Sequence, residues 1–200
     1  SSPLVHAKGN LLSNAEIHRG DIEAARQKST HISKGTYSTQ RIEHAFMEME
    51  CCIAAPTEDG FEVYSQSQGV YEDRKSISSI LGLPQEMVRV KLMPNGGGFG
   101  GKEDLAVQGH ASLAAFLMKK PVRVALTREE SICMHPKRHP LTMEIEMGCD
   151  SNGRFTFVKS DIIGDTGAYA SVGMKVLERA AGHATGAYHV DAVEVRSRAV

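Results

Sequence analysis

The sequence predicts a mixed α+β fold in which mixed β-sheets, built partly from β-hairpins, carry packed helices. Strand-like and helix-like segments interleave along the chain, and two turn signals, Asp59-Gly60 and Asp150-Ser151-Asn152-Gly153, each join a pair of alternating segments. Hairpins of this kind interrupt the strand–helix–strand rhythm that a doubly wound parallel sheet requires.

Taken in order, the chain opens on a polar stretch, and Asp21 then caps a short helix through Arg26. Alternating runs at residues 32–38 and 46–54 read as strands, and residues 61–64 pair back across Asp59-Gly60. Residues 72–81 have helical spacing closed by Gly82 and Pro84, and 88–92 form the next strand. A glycine loop leads into a helix predicted over 103–118, which Lys119, Lys120 and Pro121 end. Residues 122–126 read as a buried strand, and Thr127-Arg128-Glu129-Glu130 has the spacing of a capping box. Two longer strands, 141–147 and 155–163, flank the second hairpin turn; a small-residue helix over 172–186 and a last strand over 192–199 follow. No repeat, low-complexity linker or domain boundary stands out, so residues 1–200 read as one segment, with 1–40 a lead-in and 41–200 the main part.

Composition excludes several classes. The 23 basic and 24 acidic residues are mixed along the chain, leaving no basic field for nucleic acid or an anionic membrane. No apolar run approaches a bilayer span, and the start lacks a signal core, so a cytoplasmic location is expected. Cys51, Cys52, Cys133 and Cys149 lack metal-knuckle spacing, and Cys51 and Cys52 read as small core residues. His135 and His139 are four apart, but Pro136 and Pro140 oppose a helix carrying both, so they read as loop histidines.

The most informative stretch is Asn95-Gly96-Gly97-Gly98-Phe99-Gly100-Gly101-Lys102-Glu103. So many glycines let backbone N–H groups approach an anion or another oxygen-rich ligand closely, and a helix starting directly after them would add its partial positive charge. Gly96, Gly98 and Gly101 formally satisfy a dinucleotide fingerprint, yet the predicted helix fills the interval where the ribose-binding acid belongs. Gly96, Gly101 and Lys102 approach a P-loop, but Glu103 replaces the hydroxyl that binds magnesium and brings negative charge toward phosphates. A nucleotide-binding module and a non-catalytic assembly domain stand as alternatives from the residues alone.

The run from Gly96 to Glu103 resembles the signature loop of the xanthine dehydrogenase and aldehyde oxidase family, in its xanthine dehydrogenase form. Glu43-His44-Ala45-Phe46-Met47-Glu48 resembles the family's E-H-x-x-x-E segment, Leu81-Gly82-Leu83-Pro84 its L-G-[VL]-P, and Arg138-His139-Pro140 its R-H-P; residues 88–93 resemble the strand entering the loop. The resemblance implies the first half of a molybdenum-cofactor-binding region. It further implies a molybdenum–molybdopterin cofactor, or its dinucleotide form, with no protein side chain bonded to the metal.

By the same resemblance, Gln68 faces the cofactor, with Gln66 one pleat away as the alternative and a strand-edge polar residue as the structural one. Gly98, Phe99 and Gly100 bring backbone near the cofactor, and Phe99 packs on substrate or else anchors the loop in the core. Glu103 hydrogen-bonds a purine ring, or else is an acid at a helix N-terminus. The Asp165-Thr166-Gly167-Ala168-Tyr169 loop is taken as structural. The implied reaction is hydroxylation of purines such as hypoxanthine or xanthine with oxygen from water, or aldehyde oxidation as in other members. No catalytic residue is expected within this chain: the substrate-orienting arginine and the general-base glutamate belong to the rest of the subunit. Iron–sulfur clusters and FAD on other domains or subunits, within an oligomeric holoenzyme, complete the expectation.

Overall fold

The computed structural model describes residues 3–7 and 9–200; Ser1 and Ser2, part of the start read as lacking a signal core, lie outside the described residues, as does Lys8. The chain folds into two compact units, one from residues up to Ile42 together with His139–Val200, the other from Glu43–Arg138. No linker composition marks either crossing, which is why a boundary was not visible in the sequence.

In the first unit, β1 (Ser13–Arg19), β2 (His31–Ser38), β7 (Leu141–Cys149), β8 (Phe155–Gly164) and β9 (Ala192–Ala199) form one sheet in the order β1-β9-β8-β7-β2. All neighbours are antiparallel except β8 and β9, which run parallel and are connected through α5 (Gly173–Gly182). Alternation divides the faces: Val158, Ile162, Val193 and Val195 pack with Leu177 and Ala181 of α5, whereas Phe157 and Ala192 pack with Ile22 of α1 (Ile22–Lys28). Asp21 caps α1 as predicted, its side chain accepting from Ala24 N. The opening polar stretch is an edge strand, and its Ala15 and Ile17 join the core.

The second unit carries a four-stranded sheet in the order β5-β4-β3-β6, built from β3 (Cys51–Thr57), β4 (Gly60–Ser65), β5 (Val88–Leu92) and β6 (Val122–Ala125). The β3–β4 hairpin turns at Asp59-Gly60 as predicted, and α2 (Val70–Leu81) crosses over to bring β5 parallel to β4. Helices α2 and α3 (Gln108–Met118) cover one face, their Ile77 and Ala111 packing in one core with Cys52, Ala54, Phe61 and Val63 of the sheet. On the other face Glu62 pairs with Arg89 and Lys91, each at 2.9 Å, and accepts from the Tyr64 hydroxyl. A short α4 (Arg128–Met134) begins at Thr127 with the full capping box.

Three expectations are corrected here. The strand predicted over 46–54 starts at Cys51; Phe46 is instead fully buried outside the sheet, beyond a left-handed Ala45 at φ 48°. The helix predicted over 103–118 starts at Gln108, whose side-chain carbonyl takes the Ala106 N–H at 2.8 Å in a turn that replaces earlier helical bonding. Strand β6 is an edge strand of alternating exposure, because among the described residues only β3 pairs with it.

Candidate functional site

The site forms in the Glu43–Arg138 unit, where β4 ends and the glycine loop returns beside it. Gln68 follows β4 and precedes α2. Its backbone N–H donates to the Lys102 carbonyl at 2.9 Å, and its side-chain oxygen accepts from Gly100 N at 2.9 Å and Lys102 N at 3.2 Å. Those bonds engage the amide oxygen of a residue that is itself exposed, and its NH2 group remains available to donate. Gln66 does not share this contact; its side-chain oxygen is buried without a hydrogen-bond partner among the described residues.

At Gly98 and Gly101 a side chain would fit only if a neighbour shifted. A Cβ on Gly98 would lie 2.3 Å from the Gln68 side-chain oxygen, and one on Gly101 would lie 2.9 Å from both a His44 ring nitrogen and a Phe46 ring carbon. Between them Phe99 adopts φ 54°, a conformation that costs a bulky residue free energy and persists only where its surroundings enforce it. Phe99 is 62% exposed, so it is not the core anchor of the loop.

Lys102 supplies the anchor. Its side chain is 2% exposed; Nζ donates to the Glu48 carbonyl at 2.8 Å and the Asn95 side chain at 3.3 Å, and lies 4.4 Å from the centre of the Phe46 ring. Burial pulls its pKa down, while the nearby Glu48 and Glu50 charges oppose that shift. Glu48 also accepts the Gly96 N–H at 2.6 Å. The E-H-x-x-x-E segment is therefore the seat of the loop: His44 and Phe46 pack against Gly101, and Glu48 holds Gly96 and Lys102.

Beneath this seat lies an ion-pair network. The His135 side chain is fully buried, with Nε2 at 2.7 Å from Glu43 Oε1 and Nδ1 at 3.1 Å from Glu50 Oε1, the latter an ion-pair distance without hydrogen-bond geometry. Lys137 Nζ is 3.0 Å from the second Glu43 oxygen. Burial would raise the Glu43 carboxyl, but the Ala45 N–H, Lys137 and His135 hold it at about 2. Glu43, His44 and His135 place possible metal-ligand atoms within 4.8 Å of one another, yet both Glu43 oxygens already face cationic or N–H partners. The proline spacing identified His135 as a loop residue; its burial between two carboxylates has no local sequence signal.

Glu103 follows the loop, half-buried, with no hydrogen bond or ion pair among the described residues. Because α3 begins only at Gln108, Glu103 is not an N-terminal helix acid, and the helix end does not adjoin the glycines. The chain thus brings Gln68, Gly98, Phe99, Gly100 and Glu103 to one loop and one strand end.

Comparison with known proteins agrees with this arrangement. The family described as the molybdopterin cofactor-binding domain matches residues 5–200. The nicotinate dehydrogenase large molybdopterin subunit of Eubacterium barkeri is 38% identical over 200 residues, covering 100% of this chain and 47% of that protein. A probable xanthine dehydrogenase subunit of Bacillus subtilis (strain 168) is 38% identical over 187 residues, 93% of this chain and 25% of the relative. The aldehyde oxidoreductase of Desulfovibrio gigas shares the fold with TM-score 0.88 over 96% of this chain and 21% of that one, at 22% identity. The chain spans about half or less of the length of these relatives. Fold, loop and the match over residues 5–200 together establish that this chain belongs to the molybdopterin cofactor-binding domain family.

Proposed function

We propose that this chain forms one wall of the cofactor pocket in a molybdenum hydroxylase that oxidises purines. The observation that carries this reading is the Gln68 amide: its oxygen is committed to Gly100 and Lys102, so its NH2 group presents donors to an oxygen-rich ligand beside the loop. A molybdenum–molybdopterin cofactor, or its dinucleotide form, fits that donor set and the side-chain-free backbone around Gly98. When bound, the cofactor supplies the two-electron oxidation and the activated water oxygen that enters the ring carbon.

This chain's residues bind and orient. Gln68 donates to the cofactor, Gly98 and Gly100 give its edge close backbone approach, and Phe99 offers its exposed ring to a flat substrate. Glu103, with no protein partner among the described residues, accepts a ring N–H of the purine. The general base, the substrate-orienting arginine, the iron–sulfur clusters and FAD come from other parts of an oligomeric cytoplasmic holoenzyme serving purine catabolism.

The nicotinate dehydrogenase relative, similar along the whole chain, favours a second reading in which the ring is nicotinate. The test is molybdenum analysis of the holoenzyme with activity assays on hypoxanthine, xanthine, nicotinate and aldehydes. Stoichiometric molybdenum with purine turnover is expected. Turnover of nicotinate alone would move the reading to the second ring, turnover of aldehydes alone would overturn the heterocycle assignment, and absence of molybdenum would overturn the function.

A further inference from the structure

We propose that Asp73 is a positioning residue for Gln68, acting through Ser65 and Ser67. Asp73 is 1% exposed in the first turn of α2, in a core otherwise made of residues such as Val63, Ile77, Val107 and Ala111. Its side chain does not cap the helix; one oxygen accepts from the Ser65 hydroxyl at 3.2 Å, and the Ser67 hydroxyl stands near enough to the carboxyl to oppose the effect of burial.

These contacts continue to the site from three directions. Ser67 Oγ accepts the Gly69 N–H at 2.9 Å, so the residues on both sides of Gln68 are held. Ser65 takes the Met93 N–H on its carbonyl at 2.9 Å, at the entry to the glycine loop. Ser65 Oγ also accepts from Gln108 Nε2 at 3.1 Å, and Gln108 in turn holds the Ala106 N–H at the loop exit. Entry, exit and the Gln68 strand end therefore share one buried polar chain, with Ser65, Ser67 and Gln108 each 4% exposed or less. Burial pushes the Asp73 carboxyl up and the two hydroxyls oppose the shift, as expected of an acid present for its acceptors and not for a charge partner. A satisfied network in an apolar core specifies one geometry, which an apolar replacement would not.

The inference rests on Gln68 addressing the cofactor, so the experiment separates the two. Asp73→Val, Asp73→Asn, Ser67→Ala and Gln68→Ala are made in the holoenzyme, with molybdenum content, kcat, KM and the Mo(V) resonance spectrum measured. Asp73→Val and Ser67→Ala are expected to lower kcat about ten- to hundredfold at unchanged molybdenum content and KM, with a shifted Mo(V) signal. Asp73→Asn, which keeps the shape and an acceptor, should recover most of the rate. If Asp73→Val fails to fold, Ser67→Ala decides. A normal Ser67→Ala enzyme beside a slow Gln68→Ala enzyme overturns this proposal alone, as does Asp73→Asn falling as far as Asp73→Val. A normal Gln68→Ala enzyme overturns the cofactor-facing assignment, and this proposal with it.

Discussion

The side-chain oxygen of Gln68 accepts the backbone N–H of Gly100 at 2.9 Å, so the strand end and the glycine loop define each other's geometry. On the proposed function, Gln68→Ala removes a donor to the cofactor but no group aimed at the substrate. Turnover is expected to fall on the order of a hundredfold with little change in KM, as steady-state kinetics will show.

Gly98→Ala should reproduce that loss without unfolding the protein. The added methyl would stand 2.3 Å from the Gln68 side-chain oxygen, the far end of a flexible chain that swings away. Because both substitutions disable one interaction, the Gly98→Ala/Gln68→Ala double variant should be no slower than the slower single one. Additive losses in that cycle would contradict the account.

Lys102→Met preserves length and removes the charge. The Glu48 carbonyl and the Asn95 side chain lose their shared donor inside the fold. Denaturant unfolding should show a loss of about 1–3 kcal/mol. Stability equal to the wild type would mean that the Phe46 contact is enough to hold the loop.

The Glu43 carboxyl sits at about 2 in the folded protein, below its ordinary value of 4.5. A lowered folded-state pKa contributes stability that is complete above 4.5 and is lost as pH falls toward 2. Glu43→Gln should therefore be less stable than the wild type near neutrality, and the gap should close over that acidic window in thermal melts. A gap independent of pH would place the loss in packing.

Glu103→Val tests substrate choice. A carboxylate bonding a purine ring in a water-poor site contributes about 1.5–3 kcal/mol, so purine kcat/KM should fall about ten- to hundredfold. Aldehydes lack the matching N–H and should be unaffected or favoured. Equal losses for both classes, at matched molybdenum content, would assign Glu103 to the loop.

Much of the fold was legible because its signals are local. Asp21 and Thr127 cap the helices they precede, Gly82 ends α2 in a left-handed conformation, and both hairpins turn where the turn residues stand. The misread elements are those where a distant partner overrides local preference. Residues 46–50 alternate like a strand, yet Phe46 is taken by Lys102 and His135, and the main chain of Glu48 by Lys102. The helix expected from Glu103 is delayed to Gln108 by that residue's own side chain, which the buried Ser65 also engages.

The glycine loop itself was recognisable as chemistry, because its composition permits backbone approach whatever surrounds it. What the loop approaches depended on contacts across 32 to 54 residues of chain, those of Gln68 with Gly100 and of Lys102 with Glu48. Residue order sets backbone preference and alternation, which act over a few positions. The partner of a buried amide or ammonium is set by which elements pack together, and so Gln68, Lys102, Asp73 and His135 acquired their surroundings only on folding.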